Sequence, residues 1–547
     1  MFERKIMSKK GFIFFHYCGM ICHEGGNKIN NMKDKSVETP SSIYLMHKYW
    51  GKKPSKELKE IINQYTSKGD LVLDPFAGYG GIGIEGVLEN RNVILNDLNP
   101  IANFISECIL NNEINFDKIN EYSKIIKGEY NKKENEWYNY KDSKIITILR
   151  NNKDIPIRLK LQDNNKKMFE VELNEIEKKK FLEEENNYEI KEWYPNDKLI
   201  RNSRISAKEN MRVSDLFPKR ALICQSYLFS LIEKLPEGNE KKLFEFAFTS
   251  NLANCSKLVP PIKSRGEMAQ GAWMTGFYIG ETYLENNVFH YFENRLNKVI
   301  KGKKDYLKLC SEKKEIGKYY IKNNDAKKLD LKSNSVDFVF TDFPYGDTVP
   351  YFEQSQLWNA WLKNKVDYEN EIVISDSNER NKDSDNFEKD IEKSINEINR
   401  VLKNGKYFIF TFHSLSGKEW EAISNALLKN NLEYVNCDML LQKTFTPRQL
   451  NRKITVKGDL VVVYKKTDKS KQLSMSLTNI KDEILSKIKK TYKKDELYDT
   501  NNLITMCVEC LLKYNHLTQK MDFIDLIKKY FEIDKKNSSM WRLKNEL

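Results

Sequence analysis

Asp74-Pro75-Phe76-Ala77-Gly78-Tyr79-Gly80-Gly81 is the stretch whose reading decides the fold. It follows Lys68-Gly69-Asp70 and Leu71-Val72-Leu73, a short apolar run suited to a buried strand. Ile82 to Leu88 then reads as a helix. A strand, a glycine-rich turn and a helix form the first unit of a dinucleotide-type α/β sheet. Glycines there let the backbone pass close to a ligand where a Cβ would clash. Asn92-Val93-Ile94-Leu95-Asn96-Asp97 reads as the second strand, with its carboxylate 23 positions after Asp74. A carboxylate so placed can accept both hydroxyls of a ribose. The Gly-Lys-Ser/Thr ending of a phosphate loop is missing, so an NTPase loop is excluded.

The same kind of sheet resumes far downstream. Asn324-Asp325-Ala326 leads through a polar turn to Val336-Asp337-Phe338-Val339-Phe340-Thr341, and this β-rich run empties into Asp342-Phe343-Pro344-Tyr345-Gly346-Asp347. Asn399 to Gly405 followed by Tyr407 to Phe412 reads as a helix end, a glycine turn and a strand. Leu432 to Met439 and Asp459 to Tyr464 supply two later strands, a closing hairpin. Trp358 and Trp361 lie three apart on one helical face and read as core.

Asp-x-Phe-x-Gly-x-Gly, carried by Asp74, Phe76, Gly78 and Gly80, resembles the S-adenosylmethionine motif of amino-methyltransferases. Asp342-Phe343-Pro344-Tyr345 resembles the Asp-Pro-Pro-Tyr motif of enzymes that methylate exocyclic amines of nucleobases. His47-Lys48-Tyr49-Trp50-Gly51-Lys52-Lys53-Pro54 and Val349 to Leu362 resemble the flanking segments in the large bacterial DNA adenine-specific (N6/N4 amino) methyltransferases. The resemblance spans most of residues 41–466. It implies a Rossmann-like, seven-stranded class I methyltransferase sheet, S-adenosylmethionine as cofactor and double-stranded DNA as substrate. It further implies Asp74 near the methionine amine, Asp97 on the ribose and Asp325 toward the cofactor adenine.

For the base, the implied chemistry is specific. An aromatic amine is a poor nucleophile because its lone pair is delocalised into the ring. Hydrogen bonds from its N–H groups to the Asp342 carboxylate and the Phe343 carbonyl favour the pyramidal, nucleophilic nitrogen. Pro344 stiffens the turn, and Tyr345 is expected to offer a face on which a flipped base stacks. Phe343 departs from the family's first proline, which affects loop rigidity but not the carbonyl acceptor. A cytosine C5 enzyme would use a Pro-Cys nucleophile, and none of the 13 prolines precedes a cysteine. Asp at the first motif position leans toward adenine N6. Cytosine N4, RNA guanine N2 and a non-catalytic DNA-binding relic stay open as alternatives, although about 40 residues before the motifs are too few for the RNA enzymes' extra module.

The chain has 547 residues and a formal charge of +13, with 40% hydrophobic and 12% aromatic residues, enough for a sizeable core. No apolar run approaches a membrane span. Nine cysteines, mostly scattered singly, suit a reducing, cytoplasmic setting rather than a disulfide framework. Residues 1–40 read as an N-terminal extension. Its apolar stretch lacks a cleavage site, Cys18, Cys22 and His23 lack a second ligand pair, and Met32 is an alternative start.

Residues 112–320 separate the two halves of the core, too long for a loop, and form an insertion expected to recognise the target. Ile155–Leu161 and Met168–Leu173 read as paired strands, and Leu222–Leu235, Lys241–Ser256 and Tyr283–Ile300 as helices. Lys263 and Arg265, in a turn-prone loop, are candidate DNA contacts. Between Cys108 and Cys224 there is no cysteine, so no zinc ribbon is expected and no metal site is assigned. Residues 467–547 read as a basic helical module. From residue 465 onward there are 18 Lys or Arg against 12 Asp or Glu, +6 of the +13. Cys507 and Cys510 sit one helical turn apart and read as core packing. The resemblance also admits a restriction or phage-defence partner.

Overall fold

Apolar runs too short for helices and buried on both faces make parallel strands, and two groups of them build one sheet from distant parts of the chain. A computed structural model describes residues 41–413, 417–441, 458–468, 477–493, 496–514, 523–535, 537 and 540–544; the readings of residues 1–40 lie outside them. After α1 (Ser55–Tyr65), β1 (Leu71–Asp74) pairs in parallel with β2 (Asn92–Asn96), joined by α2 (Gly81–Leu88) and followed by α3 (Pro100–Leu110). Downstream come β8 (Tyr319–Lys322), β9 (Val336–Asp342), β10 (Leu402–Phe412), β11 (Leu432–Leu441) and β12 (Gly458–Lys466). Between them lie α9 (Tyr351–Trp361) and α10 (Ser384–Val401).

The sheet runs β11-β12-β10-β9-β1-β2-β8. β12 is antiparallel to both its neighbours, and the other pairs are parallel. β1 therefore lies between β2 on one side and β9 on the other. The chain goes from β1 to β2 and β8 on one side and then returns to β9 on the other, so the strand order reverses at β1, and the crevice beyond its carboxyl end is where such sheets bind ligands. The chain is thus α/β, and β9 hydrogen-bonds β1 although more than 250 residues separate them.

The intervening segment is ordered structure. α4 (Phe116–Trp137) precedes an antiparallel sheet of β3 (Asn139–Tyr140), β4 (Ser143–Asn151), β5 (Pro156–Gln162) and β6 (Met168–Glu172), which β7 (Thr282–Asn286) completes beside β4. α5 (Glu175–Asn187), α6 (Lys219–Glu233), α7 (Asn239–Leu252) and α8 (Val288–Ser311) make up its helical part. The β5–β6 pair stands where the sequence placed two strands. The segment 283–300, however, is not one helix. Thr282–Asn286 pairs with β4, and Asn287 then caps α8 by accepting the N–H groups of Phe289 and His290. Helical spacing hid a strand that ends one residue before a cap.

Helices of this segment buttress the core directly. α7 packs on α3 and α9. Trp361, fully buried, meets the rings of Phe248 at 5.3 Å, Phe229 at 5.6 Å, Phe217 at 6.0 Å and Trp193 at 6.2 Å. The C-terminal part is less purely helical than its periodicity suggests. Tyr498–Asp499, Met540–Leu543 and Phe531–Ile533 form a small antiparallel sheet beside helices Leu477–Thr491, Thr500–Tyr514 and Phe523–Tyr530. Cys507 and Cys510 are buried. No helix among the described residues is long and apolar enough to cross a membrane.

Trp361→Ala should cost about 3–5 kcal/mol, because an aromatic cluster joining α9 to α6 and α7 would be left around a void. Urea denaturation followed by circular dichroism checks this; an unchanged midpoint would contradict it.

Candidate active site

Five carboxylates and one ammonium group line a cavity of about 930 Å³, counted to where it opens to solvent, at the carboxyl ends of β1, β2, β8 and β9. The acids are Asp74, Asp97, Asp325, Asp342 and Glu371, and the cation is Lys53. Phe76, Gly78, Pro344, Trp50 and Tyr351 also line it.

The turn after β1 is shaped by backbone strain that only glycine relieves. Gly78 has φ +52° and Gly80 φ +82°. A Cβ on Gly80 would sit 2.6 Å from Ser106 Oγ, so α2 could not start where it does. The turn is closed by Asp97, whose carboxylate accepts the N–H of Gly78 at 2.8 Å and the N–H of Asn99 at 2.8 Å. Burial still raises its pKa to about 6. Asp74 accepts from the N–H of Phe76, and burial, with Asp97 and Asp342 nearby, pushes its carboxyl well above the usual range. Asp325 accepts the N–H of Lys327 at 2.9 Å.

Asp342, at the end of β9, is held asymmetrically. Its Oδ1 takes Lys53 Nζ at 2.9 Å, the Tyr345 hydroxyl at 2.6 Å and the Thr411 hydroxyl at 2.7 Å. Its Oδ2 faces Gly51, where a Cβ would approach to 3.2 Å. Lys53 also meets Asp459 Oδ2 at 2.7 Å, and His413 Nδ1 lies 2.5 Å from Asp459 Oδ1. Burial opposes the charge of Lys53, but the two carboxylates outweigh it and hold its pKa above the ordinary value. Burial raises the pKa of Asp342, with Lys53 as the main opposing influence. In Asp459 the balance goes the other way: Lys53 and His413 overcome burial and lower it.

Tyr345 is not the open stacking platform expected of it. Its ring is buried, lies parallel to Phe412 with centroids 5.6 Å apart, and touches His413 at 4.4 Å. Its hydroxyl donates to Asp342, which fixes the ring away from the cavity. Phe343 packs inward against Phe76, Phe408 and Phe410. The side chain thus fills the core beneath the loop, which explains how phenylalanine replaces a proline there. Trp50 and Tyr351 do line the cavity, as do Tyr49, Phe76, Tyr79, Phe340 and Phe352.

Other sequence candidates scatter. His47 is buried between Phe246 and Trp358, its pKa lowered to about 3 by burial, and it is absent from the cavity wall. Lys263 and Arg265 are exposed on a single 3-10 turn and do not line the cavity. Sequence reading missed Lys53 as an active-site group, along with Asp459, Thr411, His413 and Glu371. Lys53 stood in a quoted motif and Asp459 at the head of an apolar strand, so a carboxylate entering a buried strand was the available signal. Nothing in sequence marked Glu371, whose carboxyl burial and nearby Glu353 push up to about 8 against Arg380.

Residues 23–103 match the N6/N4 DNA methylase family. Over that stretch the chain is similar to DNA methylases. A Type II methyltransferase, M2.MboI of Moraxella bovis, is 40% identical over 72 residues, which is 12% of this chain and 26% of that one. The chain therefore matches about a quarter of the length of that relative. Among solved structures, an S-adenosylmethionine-dependent methyltransferase from Methanosarcina mazei shares 8% identity over 74% of this chain and 97% of its own, with a TM-score of 0.25. A putative DNA modification methylase of Thermus thermophilus, complexed with S-adenosylmethionine, shares 12% over 30% and 64%, with a TM-score of 0.16. Scores this low leave the fold to the chain's own strand order.

The wall fits S-adenosylmethionine, the cofactor that the motif resemblance implies. A ligand with a sulfonium, an ammonium and vicinal hydroxyls suits an acceptor-rich, acidic cavity. The buried indole N–H of Trp50, which has no hydrogen-bond partner among the described residues, is a spare donor. Because Asp97 titrates near 6, its carboxylate dominates above that pH and is lost below it. Calorimetry should show S-adenosylmethionine affinity falling about tenfold per pH unit once pH drops through 6. A flat profile between pH 7.5 and 5 would mean that the Asp97 charge is not used.

Proposed function

We propose that the protein is an S-adenosylmethionine-dependent DNA methyltransferase that methylates the N6 amine of adenine in a base flipped out of double-stranded DNA. One observation carries the reading: Asp74, Gly78, Asp97 and Asp325 of the cofactor motifs share one cavity with Asp342 and Pro344 of the base motif. Two motif sets separated by an insertion would not converge by accident on one crevice. In this reading residues 41–111 and 321–466 are the catalytic core, a class I methyltransferase sheet, and 112–320 serves target recognition.

The cofactor supplies, when bound, an electrophilic methyl group on its sulfonium. Asp97 holds the ribose hydroxyls, Asp74 lies near the methionine ammonium and Asp325 accepts from the cofactor's adenine. Phe76, Gly78 and Gly80 shape the turn. Asp342 Oδ2, the oxygen not engaged by Lys53, Tyr345 or Thr411, accepts one N–H of the target amine, and the Phe343 carbonyl accepts the other. The amine nitrogen then receives the methyl group in line, and the proton it sheds passes to Asp342. A pKa raised by burial suits that acceptor. Trp50 and Tyr351 take over the stacking role that Tyr345 cannot fill. Asp rather than Asn or Ser at position 342 supports adenine over cytosine by family likeness.

Expression in a methylation-free host, followed by mass spectrometry of digested DNA and RNA nucleosides, tests this. N6-methyladenine in DNA is expected; N4-methylcytosine, or methylated guanosine in RNA, would replace the reading. Asp342→Ala should abolish transfer while leaving cofactor affinity within about twofold, and persistent methylation would remove Asp342 from the mechanism.

Lys53 also makes a signed prediction about pH. The Asp342 carboxylate must be ionised, so activity is lost as pH falls through its raised pKa. Lys53→Met removes the main influence lowering that pKa. The acidic limb of kcat/KM should move up by about 1–3 pH units. An unmoved limb would show that Lys53 does not act through Asp342.

A further inference from the structure

The hairpin-like loop 198–212 is a basic, largely exposed feature fastened to segments next to those that line the cavity. It carries Lys198, Arg201, Arg204, Lys208 and Arg212 against Glu209 alone, a net +4 in 15 residues. Its ends are bridged at Lys198 and Arg212, and its tip at Asn202 and Ile205. Leu199, Ile205 and Ala207 are buried beneath it, whereas Lys198, Arg201, Lys208 and Arg212 are exposed. Apolar side chains anchor the loop and basic ones are left outside.

Three contacts fasten this loop to the catalytic machinery. Gln356 on α9 grips it with both ends of its amide, accepting the N–H of Ile200 at 3.1 Å and donating to the Lys198 carbonyl at 2.8 Å. Arg204 meets the carboxylate of Asp347, two residues beyond Tyr345, at 2.7 Å. The N–H of Ser203 donates to Asp376 at 2.9 Å, close to the Glu371–Ile372 stretch of the cavity wall. The loop is thus held at the rim by the segments that carry the base pocket. The side chains of Arg201 and Lys208 have no hydrogen-bond or ion-pair partner among the described residues.

We infer that loop 198–212 grips the DNA backbone beside the flipped base, with Arg201 and Lys208 on its phosphates. This rests on the DNA-methyltransferase reading above. A rigid, net-positive rim with unpaired cations matches a polyanion, and backbone contacts of this kind position the duplex without reading sequence. The loop thereby sets the register in which the base motif meets its target.

The test is fluorescence anisotropy of the full chain with a labelled duplex of mixed sequence over a salt series, with S-adenosylmethionine affinity measured in parallel. Arg201→Gln with Lys208→Gln should weaken duplex binding about tenfold or more. It should also make the slope of log K against log salt shallower by about 1.8, since each phosphate contact contributes roughly 0.9. Cofactor affinity should be unchanged. The equally charged change Lys124→Gln with Lys132→Gln, on the exposed side of α4, should alter neither quantity. If the loop variant binds like the parent while the parent binds and methylates duplex DNA, the loop assignment falls and the function stands. If the parent neither binds nor methylates duplex DNA, both fall.

Discussion

Lys53 carries its ammonium into a site where two carboxylates, from strands nearly 120 residues apart, converge on it: Asp342 at the end of β9 and Asp459 at the head of β12. All three groups are largely withdrawn from water, so the charges are tolerable only together. Removing one partner of such a set typically costs about 3–5 kcal/mol, because the remainder keep their desolvation penalty without its compensation. The contact ties the segment before β1 to both β9 and β12, joining parts of the core that the chain separates by an insertion. It also determines which oxygen of Asp342 is free for chemistry. With three donors on Oδ1, the carboxylate cannot rotate without breaking a buried bond, and Oδ2, beside Gly51, is the oxygen left without a donor among the described residues.

This explains the position of Tyr345. A ring offered to a ligand must leave its face open. Here the hydroxyl is drawn to Asp342, and the ring is pressed between Phe412 and His413. Tyrosine in this motif supports the carboxylate from beneath rather than meeting the base. Phe343 acts similarly on the other side of the chain, filling the space between Phe76 and the aromatic face of β10. The motif's side chains thus alternate between core and cavity, as they must at the end of a strand whose two faces are both covered.

Much of the sheet was legible because parallel strands buried on both faces read as uninterrupted apolar runs, and the glycine turn after Leu73 has few alternatives. Asp74, Asp97 and Asp342 were recognisable because each stands at or just after the end of an apolar strand, whereas Asp325, three residues past β8, was named from the family resemblance. Lys53, Asp459 and Glu371 were not, since their importance comes from convergence across hundreds of residues and no local spacing records it. β7 was read as helix because Tyr283 to Ile300 satisfies a helical period throughout. Only pairing with β4, a tertiary fact, overrides it at Thr282–Asn286. The small C-terminal strands escaped for a related reason: three or four residues are too few for alternation to show.

The charge of the chain can now be divided by what surrounds it. Much of the insertion's basic surface is neutralised locally: Arg150 and Arg220 are buried against Glu185 and Glu285, and Lys127, Lys178 and Lys257 are paired with acids. Such pairs add little to the field felt by a polyanion. Loop 198–212 is neutralised only in part: Lys198 pairs with Glu379 and Arg204 with Asp347, whereas the Arg201 and Lys208 side chains keep no partner among the described residues, on a backbone held by Gln356 and Asp376. Fixed geometry matters for phosphate contacts, since a side chain on a mobile loop would lose on ordering part of what it gained in attraction. The total of +13 is therefore a poor guide to where DNA would lie. The Arg201 and Lys208 side chains, left without a partner among the described residues on a loop fastened to α9 and to Asp347, are the better guide.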